Sequence, residues 1–152
     1  MRELYTRYTL DLAATPRQVF AALTEPEKTK QYLFGCEAVT DWKPGSPLHW
    51  RGVHEGRSMV FVVGHVVAFE PGRRLTYTTF DPNGGLPDVP ANYLEVDCRL
   101  TPSGAGTRLD WSQGNFATVA NGEARFAEAS SGGDAVLRAL KAVAERAHDN
   151  GQ

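Results

Sequence analysis

Residues 92–111 read NYLEVDCRLTPSGAGTRLDW. Over 92–101 the residue type alternates: Leu94, Val96, Cys98 and Leu100 fall on one side, Tyr93, Glu95, Asp97 and Arg99 on the other. Pro102-Ser103-Gly104-Ala105-Gly106 is turn chemistry. Beyond it Thr107, Leu109 and Trp111 alternate with Arg108 and Asp110 over 107–112. A period of two on both sides of a short turn predicts an antiparallel hairpin. One face is apolar and the other charged, so the apolar face needs a cover.

Upstream, the same logic predicts more strands. Residues 59–69, MVFVVGHVVAF, are apolar on both faces and too β-branched for a helix. Gly64 in the middle reads as a bulge or sharp bend. A strand over Leu48 to Val53 precedes it, joined through His54-Glu55-Gly56-Arg57. Glu70-Pro71-Gly72 leads to another over Arg74 to Phe80. A short strand is expected over Cys36 to Thr40, followed by a Lys43–Pro47 turn, and a first strand over Tyr5 to Ala13. After that first strand, Thr15 caps a helix with Pro16 at its first position and Val19, Phe20 and Leu23 on one face. Glu25-Pro26 ends it and opens a second short helix reaching about Tyr32.

At the other end, Val136, Leu137, Leu140, Val143, Ala144 and Ala147 recur at helical spacing. Ser131 with Asp134 resembles a capping box. Residues 123–129 are either a separate turn of helix or the start of the same one, because Gly132-Gly133 could break the helix or ride inside it. The expected architecture is α+β: about six to seven antiparallel strands in a meander, curled around one long C-terminal helix of about 25 Å. Two short helices follow strand one.

The totals fit one domain over residues 1–152, with 41% apolar and 22% charged residues and a net charge of −2. No basic block provides a footprint for nucleic acid, and no apolar run approaches the roughly 20 residues of a bilayer span. The opening MRELYTRYTLDL has no signal-peptide character. Cys36 and Cys98 form no CxxC pair and read as reduced thiols of a cytoplasmic protein. His49 and His54 are five apart, on opposite strand faces, which argues against a zinc site. Glu95 and Asp97 read as a solvated sheet surface rather than a catalytic carboxylate pair. No nucleophile elbow, phosphate loop, dinucleotide fingerprint or metalloprotease motif is present. No metal and no cofactor is expected.

Four stretches carry a resemblance to a known family. Residues 14–27, ATPRQVFAALTEPE, are similar to its opening; 64–75, GHVVAFEPGRRL, to its centre; Gly106-Thr107-Arg108-Leu109 to a short later motif; and 135–141, AVLRALK, to its close. The chain resembles the START-like (SRPBCC) superfamily, and within it the family named after the activator of heat-shock-protein-90 ATPase (AHSA-like). The likeness implies a helix-grip fold, as in the birch-pollen allergen, with a hydrophobic cavity. Two places depart from the pattern. Gly133 stands where relatives usually have tryptophan, and Tyr32-Leu33-Phe34 replaces an aromatic pair. The missing indole should widen the space under the sheet or open its mouth.

The expected cavity wall comprises Trp50, Phe61, His65, Tyr77, Cys98, Trp111 and Phe116 from the sheet side, with Val136 and Leu140 from the helix. Each has a plainer alternative as core or surface. At about 24 cal/mol per Å³, a dry void of roughly 300 Å³ would cost about 7 kcal/mol, against a total domain stability of about 5–15 kcal/mol. A cavity of that size rarely persists without a use. Three functions follow as expectations. The first is binding of a small hydrophobic molecule, lipid-like or aromatic. The second is a cyclase- or dehydratase-type enzyme in which His65, Tyr77 or Asp110 moves protons. The third, implied by the resemblance, is a chaperone-ATPase-activator-like partner using the Tyr93/Glu95/Asp97/Arg99 face. The loop 81–91 is either a lid or a plain connection. The sequence leaves a homodimer open.

Overall fold

The computed structural model describes residues 3–151. Met1, Arg2 and Gln152, part of the single domain expected over 1–152, lie outside the described residues. Strand β1 (Thr6–Leu12) is followed by helices α1 (Pro16–Thr24) and α2 (Pro26–Thr29). Then come β2 (Glu37–Val39), β3 (Pro47–His54), β4 (Arg57–Glu70), β5 (Arg74–Thr79), β6 (Leu94–Ser103) and β7 (Gly106–Gly114). Helices α3 (Gly122–Ser131) and α4 (Ala135–Asp149) close the chain. The seven strands form one antiparallel sheet in the order β1-β7-β6-β5-β4-β3-β2. It is an α+β helix-grip-like fold: strands two to seven meander, and β1 joins beside β7.

Local chemistry accounts for the element ends. Thr15 Oγ1 accepts from Gln18 N (3.2 Å), and Gln18 Oε1 accepts from Thr15 N (2.9 Å), a reciprocal cap that starts α1. Between β3 and β4 the turn is only Glu55-Gly56, both at positive φ (51° and 77°). That is the tight hairpin turn whose twist matches its strands, so β3 and β4 run longer than 48–53 and 59–69. Thr29 is fully buried; its hydroxyl donates to Cys36 O (3.0 Å) and accepts from Ala38 N (3.2 Å). This ties α2 to β2 and sets the position of the Leu33–Phe34 segment between them.

Gly64 is not itself a bulged residue. The register of β4 shifts at Phe61 against β3 and at Val67 against β5, so the bulges flank the glycine. At Gly64 itself an added Cβ would sit on the carbonyl oxygen of Thr78. The glycine permits close approach of β5 where β4 bends from one half of the sheet into the other.

The C-terminal helix is also not continuous. Gly133, at φ +58°, breaks it into α3 and α4. Ser131 therefore ends α3, donating to Glu128 O (2.8 Å), and does not cap α4; Asp134 holds that position without a side-chain cap bond. At 15 residues α4 is about 22 Å long. Its second half, Val143, Ala144 and Ala147, is buried, and α4 packs on α1 and β1. With Leu12, Val19, Leu75 and Leu109 this part of the helix belongs to a solid core. Helix α3 has no fully buried residue; Phe126 and Ala129 lean on a satellite cluster of Leu4, Leu94, Phe116 and Val119.

Candidate functional site

The strand register assembles a floor for the first half of α4. Tyr77 pairs with Val96, Val96 with Gln113, and Gln113 with Thr6, which places these four in one row across the sheet. The next row runs Leu75, Cys98, Trp111 and Tyr8. Above the first row the space is not filled. One lobe, of about 390 Å³, is enclosed by Trp50, Tyr77 and Trp111 below and Val136, Leu137 and Leu140 above, with the Gly132-Gly133 elbow at its edge. A second lobe, of about 520 Å³, extends towards Cys36, Phe61, Phe80, Leu94 and Val96. Both are lined by Leu33, Phe34, Trp50, Tyr77, Trp111 and Gln113, and are two halves of one space.

The interior is mostly aromatic. Trp50 and Tyr77 lie 5.7 Å apart between ring centroids, and Tyr8 and Trp111 5.9 Å. Its polar atoms are few. Gln113 Nε2 donates to Thr79 Oγ1 (3.3 Å). The Tyr32 hydroxyl donates to Ala22 O (2.6 Å), whereas that of Tyr77 has no partner among the described residues. Burial, reinforced by Cys98, raises the pKa of both phenols, Tyr77 well above its ordinary value, so both stay neutral. Charge is confined to the edge: Asp81, Arg125 and Glu128. Phe34 also stands at the edge, 81% exposed and in the left-handed region (φ 54°), followed by Gly35 at φ 76°.

Of the nine wall residues expected from sequence, Trp50, Phe61, Tyr77, Trp111, Val136 and Leu140 line this space. Three do not. His65 is exposed, with Nδ1 3.1 Å from Thr78 Oγ1, because it alternates with Gly64 and the buried Val66, which take the inner face. Cys98 is on the inner face but fully buried beneath its neighbours; burial pushes its thiol pKa up. Phe116 is buried in the satellite cluster, edge-on to Phe126 (5.6 Å), and borders only an outer groove. Asp110 is exposed and accepts from Thr9 Oγ1 (2.7 Å) on the far side. Among the described residues no group of histidine, cysteine, aspartate and glutamate could hold a metal ion.

Sequence reasoning missed Tyr8, Tyr32 and the rim. The signal for Leu33 and Phe34 was their place after the second helix; for Arg125 there was none, since its role follows from α3 being a separate helix. Loop 81–91 is ordered in part by Asp81, whose Oδ1 accepts from Asn83 N (2.8 Å), and by Asn92 Nδ2, which donates to Pro87 O (2.9 Å). It borders the outer groove, of about 490 Å³, through Asp81, Gly84 and Leu86. On the outer face Asp97 accepts from Thr76 (2.6 Å), Arg74 (3.1 Å) and Arg99 (2.8 Å). Desolvation is the largest influence on its pKa, but these bonds prevail and hold it below the ordinary value.

Residues 13–145 match the family described as activator of Hsp90 ATPase homolog 1-like protein. No curated protein matches the chain. Among solved structures, a Cytophaga hutchinsonii protein is 30% identical, with a TM-score of 0.76 over 98% of this chain and 99% of its own. The Aha1 dimer of Colwellia psychrerythraea shares the fold at 14% identity (TM-score 0.69; 93% and 96% covered). An HSP90 activator of Plasmodium falciparum shares it at 15% identity (TM-score 0.59; 74% and 73% covered). No helix among the described residues is long and apolar enough to cross a membrane.

Proposed function

The chain belongs to the family of activator of Hsp90 ATPase homolog 1-like proteins, and from that premise we propose that it binds a small hydrophobic molecule, lipid-like or aromatic, between its sheet and the first half of α4. One observation carries this reading: the two-lobed space floored by Trp50, Tyr77 and Trp111. Filling these positions with side chains would have been the cheaper solution, since voids destabilise in proportion to their volume. Tyr77 supports a ligand with a neutral hydrogen-bonding group, because its hydroxyl offers a bond that no atom of the described residues takes up. A general acid–base role has less support. His65 and Asp110 are outside, and the polar groups away from the rim, Thr6, Tyr8, Tyr32, Tyr77, Thr79 and Gln113, include no carboxylate or imidazole. The reading includes a cytoplasmic location, supported by the free thiols Cys36 and Cys98.

The test is native mass spectrometry of the protein purified from its own host, followed by thermal melting with the co-purifying molecule. A ligand specific for the folded state raises Tm with its concentration. A spectrum of bare chain, with no Tm shift from a panel of apolar ligands, would overturn the proposal.

A second reading, action on a chaperone ATPase, draws on the family and on the Hsp90-activator neighbour. The outer sheet face offers charged pairs around Asp97 rather than an apolar patch. Stimulation of the cognate chaperone's ATPase would support it, and a homodimer in solution would parallel the Colwellia protein.

A further inference from the structure

Arg125 is the only cationic side chain lining either lobe among the described residues, and it also lines the outer groove. Its Nη1 donates to Asn92 O (3.3 Å) and Ala120 O (3.4 Å), and its Nη2 to Asn92 O (3.3 Å). These bonds are long, at the weak edge of the hydrogen-bonding range. They hold the guanidinium against the mouth while leaving the Nε–H and the second Nη2–H unused. Arg125 forms no ion pair among the described residues. Partial burial lowers its pKa, and Asp81 draws it back up; at neutral pH the group is charged either way.

An arginine that is partly desolvated, tethered by carbonyls and short of a carboxylate is matched by an incoming anion. A carboxylate can accept two parallel bonds at about 2.7–2.9 Å, shorter and stronger than the three present. Behind it, the lobes offer apolar walls and no second charge inside. Resting on the apolar-ligand reading above, we propose that the bound molecule is an anionic amphiphile, its carboxylate met by Arg125 at the mouth and its hydrophobic body lying over Trp50, Tyr77 and Trp111. Asp81 and Glu128 share the rim. They oppose an anion there and set a ceiling on its affinity; both are exposed, so water screens them more than it screens Arg125.

The experiment compares decanoic acid with 1-decanol by calorimetry on the full chain at neutral pH and low salt. The tail is the same, so only the head differs. The acid should bind about tenfold tighter or more, the worth of one charged hydrogen-bonded contact. In R125Q the acid should fall to the level of the alcohol. In D81N the acid should gain severalfold while the alcohol stays put. Equal binding of acid and alcohol by the native protein would overturn the inference, as would an acid preference that survives R125Q. Should R125Q fail to fold, D81N decides: no gain for the acid overturns it. Binding of the alcohol alone leaves the apolar-ligand reading standing and removes this one; binding of neither removes both.

Discussion

The two halves of α4 face the same sheet with the same kinds of residue and do different things. Val143 and Ala144, near the C-terminus, are sealed against Leu12, Val19 and Leu109. Val136, two turns earlier, faces open space over Tyr77 and Trp111. The cause lies in what stands opposite. In the closed half, α1 reaches α4 and fills the gap with Val19 and Phe20. In the hollow half the wall opposite is Leu23 at the end of α1, the Tyr32–Phe34 segment, pinned through Thr29, and α3, which leaves at the Gly133 break. One fold thus separates a filled part that holds it together from a hollow part that does not.

The largest expected contrast tests the closed half alone. Leu109 is fully buried under α4 and α1. Leu109→Ala should cost about 3–4 kcal/mol, since transfer and cavity terms add, read as a fall in denaturation midpoint at unchanged slope. A loss below about 1 kcal/mol would mean that this half is no better packed than the other.

A sharper contrast keeps the chemistry fixed. Val136 and Val143 are seven residues apart and share a face of one helix. Val143→Ala should cost about 2 kcal/mol and Val136→Ala well under 1, because the methyls of Val136 are already short of neighbours. Chemical denaturation of the two variants measures the difference. Equal losses would erase the distinction between the halves. Adding the proposed ligand should then widen the gap for Val136 only, as its methyls gain partners.

The elbow gives the reverse experiment, filling the void. At Gly133 the φ of +58° makes any side chain strained. Gly132 also borders the first lobe, at an ordinary φ of −72°, and an added Cβ would meet only Ala129 O at 3.6 Å. Gly132→Trp should weaken an apolar ligand by about tenfold, roughly 1.4 kcal/mol, with little change in Tm. Unchanged affinity would place the ligand in the second lobe, away from the helix.

What could be read in advance follows the same division. The hairpin 92–112, the β-branched run ending at Phe69 and the helical spacing after Val136 are local patterns, and each became the expected element. The wall residues Trp50, Tyr77, Trp111, Val136 and Leu140 were legible because strand alternation and helical period put them on inner faces. His65 was not, because the run 59–69 is apolar on both faces, so its alternation does not say which face is the inner one. Phe116 and Arg125 were not, because their places depend on segments far away in sequence: Phe116 packs with Leu4 and Leu94, and Arg125 bonds the carbonyl of Asn92. Alternation reports the face of a strand; it does not report whether the opposite wall has been built.

Two tyrosines make the finest comparison, and the smallest effect. Tyr32 and Tyr77 both line the first lobe, and burial raises both phenols. The Tyr32 hydroxyl bonds Ala22 O at 2.6 Å, so it belongs to the framework. Tyr32→Phe should cost about 1 kcal/mol, the net worth of that bond plus the penalty of an orphaned carbonyl. Tyr77→Phe removes a hydroxyl that has no hydrogen-bond partner among the described residues. Stability should hold to within a few tenths of a kcal/mol, because no protein–protein hydrogen bond is lost. Affinity for a ligand with a carbonyl or hydroxyl group should drop a few-fold, while that for a plain hydrocarbon of equal size should not. If instead Tyr77→Phe destabilised the free protein as much as Tyr32→Phe does, its hydroxyl would be part of the framework, and the hollow half would lose the polar group proposed to meet the ligand.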